Sequence, residues 1–195
     1  MGRHIAIIQG HPDPGGGRYC HALAAAYADG ARSAGHRVDL VDVARLDFPL
    51  LRTKEDFEHG AAPPSVAVAQ AAMAAADHLI LVYPLWLGDM PALLKAFLEQ
   101  SFRPGFAFGP QQPDGKREGG GLRGKSARIV VTMGMPAFAY RWLYGAHSVK
   151  SLSRNVLGFS GMRPVRVLLV GTVEARPAAR QRWLVRMEGF GRRAQ

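Results

Sequence analysis

Three stretches hold the residues that could do chemistry: Gly10-His-Pro-Asp-Pro-Gly-Gly-Gly-Arg-Tyr19, Pro84-Leu-Trp-Leu-Gly-Asp89, and Thr132-Met-Gly134 running on to Tyr140 and His147. In the first, the apolar run Ile5 to Ile8 gives way to glycines and prolines. Leu23, Tyr27, Ala31 and Ala34 then recur at helical spacing, which predicts strand, tight loop and helix. A helix N-terminus leaves main-chain N–H groups unpaired, and a loop too tight for side chains brings them close to a phosphate. An anionic cofactor is the expected ligand, and a glycine-rich surface turn is the alternative. Gly10, Gly15, Gly16 and Gly17 do not fall as G-x-G-x-x-G, and no Lys-Ser or Lys-Thr pair follows them. The stretch is therefore neither a dinucleotide fingerprint nor a P-loop.

In the second stretch, Trp86 stands between two prolines in a strand-end loop, where it either packs into the core or walls a flat aromatic ligand. In the third, Gly134 permits close main-chain approach, Tyr140 can donate or accept, and His147 is the only histidine of the back half. Tyr140 and His147 could together hold negative charge on a reduced ring or donate to a substrate oxygen. The alternative is a buried tyrosine hydroxyl and a surface histidine. His11, Asp13 and His21 lie in a short, proline-stiffened stretch without a carboxylate cluster, so no metal site is expected. There is no G-x-S-x-G elbow for a serine hydrolase.

The elements that must position these loops follow from periodicity. Strands are expected at Ile5 to Ile8, His36 to Asp42, His78 to Tyr83, Ala127 to Thr132 and Val165 to Val170. Helices are expected after Arg18, from a Ser65 cap to Ala76, after an Asp89 cap, over Val149 to Leu157 and over Ala178 to Phe190. Asp47 to Pro64 reads as a long connection without an element of its own, and Phe102 to Gly124 as a long excursion with a hairpin. Strands alternating with helices predict an α/β three-layer sandwich around a parallel sheet, with ligands beyond the C-terminal strand ends.

The 195 residues are expected to form one domain. A single cysteine, Cys20, excludes an intrachain disulfide and a cysteine-cluster metal site. No apolar run approaches the roughly 18 residues of a membrane span, and a cytoplasmic location is expected. The net charge of +10 divides unevenly: residues 1–100 carry 8 Lys/Arg against 11 Asp/Glu, and residues 101–195 carry 17 against 4. Such an imbalance can steer any polyanion, a nucleotide cofactor included. The bases are scattered or helical, with neither zinc-finger spacing nor an aromatic-rich RNA-binding signature, so nucleic acid is not an expected partner.

Gly10-His-Pro-Asp-Pro14 with Arg18-Tyr-Cys-His-Ala-Leu23, the block Tyr83-Pro-Leu-Trp-Leu-Gly-Asp-Met-Pro-Ala-Leu-Leu-Lys95, Pro104-Gly-Phe-Ala-Phe108, Thr132-Met-Gly134 and Tyr140 through His147 together resemble the NAD(P)H:quinone oxidoreductase family. The resemblance implies a flavodoxin-like fold with a five-stranded parallel sheet of order 2-1-3-4-5, a noncovalently bound flavin (FMN or FAD), and an active site completed in a homodimer. It places His11, Gly17, Arg18 and Tyr19 at the flavin phosphate and ribityl chain. Pro84, Leu85, Trp86 and Leu87 come to the isoalloxazine, Thr132 and Gly134 to its pyrimidine edge, and Tyr140 and His147 beside flavin and quinone as the catalytic pair. Relatives commonly carry a hydroxyl residue where this chain has Gly17. The implied reaction passes hydride from NADH or NADPH through the flavin to a quinone or similar flat electrophile. Some relatives instead serve as ancillary subunits of potassium efflux systems, which would imply peripheral association with a membrane transporter.

Overall fold

The computed structural model describes residues 2–111, 117–174 and 177–195. Five strands form one parallel sheet: β1 His4–Gln9, β2 Arg37–Asp42, β3 His78–Pro84, β6 Ser126–Thr132 and β7 Val165–Val170, in the order β2-β1-β3-β6-β7. The short pair β4 Phe108–Gln111 and β5 Arg117–Gly119 is an antiparallel hairpin outside that sheet, as the excursion after Phe102 predicts. Counted without the hairpin, the sheet has the expected order 2-1-3-4-5. Strand order reverses at β1 and β3, so the crevice lies beyond Gln9 and Pro84.

Alternation along the strands sends side chains to two separate cores. Ile5, Ile7, Ile80 and Val82 meet Leu23 and Tyr27 of α1 (Tyr19–Ser33) and Met187 of α7 (Pro177–Arg192). Ala6, Ile8, Leu79, Leu81 and Tyr83 meet α3 (Pro64–Ala75), α4 (Ala92–Ser101) and α6 (His147–Ser151) on the other face. Helices α1 and α7 approach so closely that a Cβ on Gly30 would lie 2.1 Å from the Glu188 carbonyl oxygen, and one on Gly191 2.0 Å from that of Tyr27.

Four local expectations need correction. The Asp47 to Pro64 connection contains a helix, α2 (Lys54–His59), whose Thr53 hydroxyl accepts the Asp56 N–H and whose first turn carries Glu55 and Asp56. Ser65 does not cap α3; Pro64 occupies its first turn, needing no N–H partner, and the Ser65 hydroxyl donates to the Asp47 carbonyl instead. Asp89 does not cap α4, which begins after Pro91; its carboxylate accepts the Met90 N–H within the preceding turn. The helix expected over Val149 to Leu157 starts earlier, as α6, and continues as a wider π-type turn through Leu152–Gly158. Among the described residues no helix is long and apolar enough to cross a membrane.

Candidate active site

Beyond the C-terminal ends of β1, β3 and β6 the three chemistry-bearing loops converge. His11 and Trp86 meet edge to face at 5.9 Å between ring centroids. The Leu85 N–H donates to the Thr132 carbonyl at 2.7 Å. Cys20 Sγ and the Thr132 hydroxyl share a hydrogen bond at 3.1 Å. Each loop is thereby tied to the other two. The cause is the parallel sheet, which delivers β1, β3 and β6 to the same rim in register.

The first loop is built to expose main chain. Gly16 and Gly17 are both left-handed, at φ +73° and +70°, and a Cβ on either would meet nothing within 4 Å. Arg18 leads into α1 without a side-chain cap, and the first turn of α1 carries no acidic residue. Among the described residues the N–H groups of Gly17, Arg18, Tyr19 and Cys20 have no hydrogen-bond partner. The positive end of a 15-residue helix is thus left open. Gly17 presents a left-handed, side-chain-free backbone at this point.

Two donors near this rim are buried and orphaned. The Gln9 Oε1 accepts the His11 N–H at 3.0 Å, which leaves its Nε2 buried without a partner. Both ring nitrogens of His21, which lies 5.3 Å from the His11 ring, are in the same condition. A buried polar group without a partner is costly, so these atoms mark a place for a polar ligand. Burial, then the neighbouring His21, lowers the pKa of His11. Its Nδ1 accepts the Asp13 N–H at 3.1 Å, so the neutral ring carries its proton on Nε2 and remains a donor there.

Arg18 and Tyr19 are placed less simply. Arg18 donates to Asp13 Oδ2 at 2.7 Å, so its charge is already paired. The Asp13 carboxyl sits below its usual range because it accepts the Gly15 N–H and then the Arg18 guanidinium. The Tyr19 ring lies under the Arg180 guanidinium at 4.7 Å, and its hydroxyl donates to the Arg180 carbonyl. Tyr19 therefore braces α1 against α7.

In the second loop Pro84 is buried, and Trp86 and Asp89 exchange two main-chain hydrogen bonds of 2.8 and 2.9 Å across Leu87 and Gly88. Leu87 at φ +48° and Gly88 at +82° give the turn two successive left-handed residues, the I′ pattern. This turn holds Trp86 49% exposed, on the rim rather than in the core, and leaves Leu87 fully exposed at the tip.

In the third loop Thr132 is buried and its hydroxyl is engaged by Cys20, while Gly134 is exposed with open space around its Cα. Tyr140 is 2% exposed, and its hydroxyl is bonded to the Ser148 hydroxyl at 2.7 Å. His147 is exposed at the start of α6, its ring over Gly145, after a left-handed Ala146. Tyr140 and His147 thus stand as a buried tyrosine and a surface histidine joined only through the adjacent Ser148. Gln9, Cys20 and Ser148 escaped the sequence reading; a lone polar residue closing an apolar strand was the available signal for Gln9.

The flavodoxin-like fold family matches residues 3–188. The FMN-dependent NADH:quinone oxidoreductase of Ruegeria pomeroyi is 30% identical over 136 residues, covering 62% of this chain and 66% of that protein. A ribosyldihydronicotinamide dehydrogenase-like protein of Penicillium crustosum is 28% identical over 177 residues, covering 78% of this chain and 64% of that protein. The matched region thus spans slightly under two thirds of either relative's length. The solved NAD(P)H:quinone oxidoreductase of Methanothermobacter marburgensis superposes with a TM-score of 0.77 at 23% identity, covering 100% of both chains. The strand order, the convergent strand-end loops and the match over nearly the whole chain agree, and the chain belongs to the flavodoxin-like fold family.

Proposed function

We propose that this protein is a flavin-dependent NAD(P)H oxidoreductase acting on a quinone or a similar flat electrophile. The observation that carries this reading is the open N-terminus of α1 beside two consecutive left-handed glycines, at the rim where Trp86 and the orphaned Gln9 amide also lie. These residues suit a flavin whose phosphate is held by main-chain N–H groups. When bound, the flavin supplies the hydride chemistry, receiving from a nicotinamide and passing to the acceptor.

The chain's own part is binding and orientation. Gly17, Arg18, Tyr19 and Cys20 N–H groups and the neutral His11 Nε2–H supply donors to the phosphate end. Gln9 Nε2 donates to whatever polar edge covers it. Trp86 and the Leu85 to Leu87 main chain wall one side of a flat ring, and Gly134 lets the backbone approach its edge. His147, exposed at the start of α6, delivers the proton an acceptor oxygen needs, while Tyr140 and Ser148 hold the loop that carries it. The exposed Leu87, Leu143 and Tyr144 are surfaces that a second copy of the chain would cover, completing the slot and excluding water.

The test is to denature purified protein and identify any released flavin by mass, then to titrate the flavin-free protein with FMN and FAD. Release or stoichiometric binding of one of them is expected. No flavin on release and no binding on titration would overturn the reading.

A further inference from the structure

The two edges of the sheet are unlike. Strand β2 carries Arg37, Asp39 and Asp42, the mixed charges that discourage pairing with another strand. Strand β7, Val-Arg-Val-Leu-Leu-Val, has one charge. Among the described residues it pairs only with β6. The Ala127 N–H donates to the Pro164 carbonyl and the Met133 N–H to the Val170 carbonyl, each at 2.9 Å. In a parallel ladder the alternate residues therefore point away, so Val165, Val167 and Leu169 turn their N–H and C=O groups outward. Among the described residues these groups have no partner, and Val167 is 42% exposed in mid-strand.

This edge is the floor of a groove of about 680 Å³ whose walls are α5 (Ala137–Trp142) with α6 on one side and α7 on the other. Phe138, Trp142 and Trp183 make the walls aromatic. Arg141, Lys150, Arg154 and Arg186 also line it, no carboxylate does, and none of the four has an ion-pair partner among the described residues. A second copy of the chain set on this face would bring the four cations against the same four.

We propose that the β7 edge is a strand-addition site for an extended segment of a partner protein in which acidic and apolar residues alternate. The segment pairs its main chain with Val165, Val167 and Leu169; alternation sends its carboxylates to the α5–α6 side, against Arg141, Lys150 and Arg154, and its apolar side chains to Trp183 on the α7 side. The site takes in the sheet edge with its helical walls and needs no bound flavin.

The test is fluorescence anisotropy with the full-length protein and a fluorescein-labelled peptide, Glu-Val-Glu-Val-Glu-Val, as the probe. Saturable binding is expected, lost at least tenfold when alternate peptide nitrogens are methylated and when lysine replaces glutamate. Val167→Pro, which removes one outward N–H, should weaken binding at least tenfold. Because proline can disturb the strand, Lys150→Glu with Arg154→Glu, both exposed, serves as a second variant and should shift the preference toward the lysine peptide. Equal binding of the methylated or lysine peptide would overturn the proposal, as would unchanged binding by both variants. A dimer in sedimentation that protects the Val165, Val167 and Leu169 amides from hydrogen exchange would also overturn it, since the occupant would then be a second copy.

Discussion

Asp13 works against the anion site in which it stands. Its carboxylate holds Arg18 at 2.7 Å and sits beside the open end of α1, where its charge repels a phosphate. Asp13→Asn keeps an acceptor for the Gly15 N–H, releases the arginine and removes the repulsion. It is expected to tighten flavin binding about threefold to tenfold; weaker or unchanged affinity in a fluorescence titration would mean that the phosphate lies elsewhere. Arg18→Ala should weaken the same affinity. His78 illustrates a buried group with a pH signature. Burial among Arg3, Arg128 and Arg166 lowers its pKa from 6.5 to about 4. The unfolded chain therefore binds a proton below pH 6.5 that the folded chain refuses until about pH 4. Stability should fall as pH drops through that window, by on the order of 3 kcal/mol from this residue. Urea unfolding at successive pH values should show the loss, and His78→Asn should flatten it. Cys20, pushed up to about 11 by burial, should resist alkylation at neutral pH until the protein unfolds.

At the scale of elements, the turn after β3 stores strain. Leu87 is left-handed, a conformation costing a side-chain-bearing residue about 1 to 2 kcal/mol. Leu87→Asn should raise stability by about 1 kcal/mol and the midpoint by a few degrees in thermal unfolding. If the leucine lines the slot, turnover should fall at the same time. The packing of α1 on α7 has no such tolerance: Gly30→Ala would push a methyl into the Glu188 carbonyl and should cost about 2 kcal/mol in urea unfolding. Most strands and the long helices were legible in the sequence because their apolar residues repeat with a clear period. Helix α2 was harder, because it buries no residue and its only signal is the Thr53 cap with Glu55 and Asp56. Ser65 and Asp89 misled for the converse reason: both have capping chemistry, but Pro64 and Pro91 take the helix starts.

At the scale of the molecule, the exposed Leu87, Leu143 and Tyr144 around the strand ends predict a homodimer. Sedimentation should show a concentration-independent dimer; a monomer with full turnover would show that one chain completes the slot alone. The sequence by itself determined the fold and which loops meet at one rim of the sheet. An alternation of apolar runs and amphipathic segments admits few arrangements, and a parallel sheet delivers its loops to one rim. Composition of those loops also marked the helix end and Trp86. Which side chains face the slot was decided only by tertiary packing. Tyr140 turns inward to Ser148, Thr132 to Cys20 and Arg18 to Asp13, and Gln9 is left with an unpaired amide. Those outcomes depend on partners between 5 and 112 residues away in sequence, or on the lack of one, and residue spacing carries no record of either.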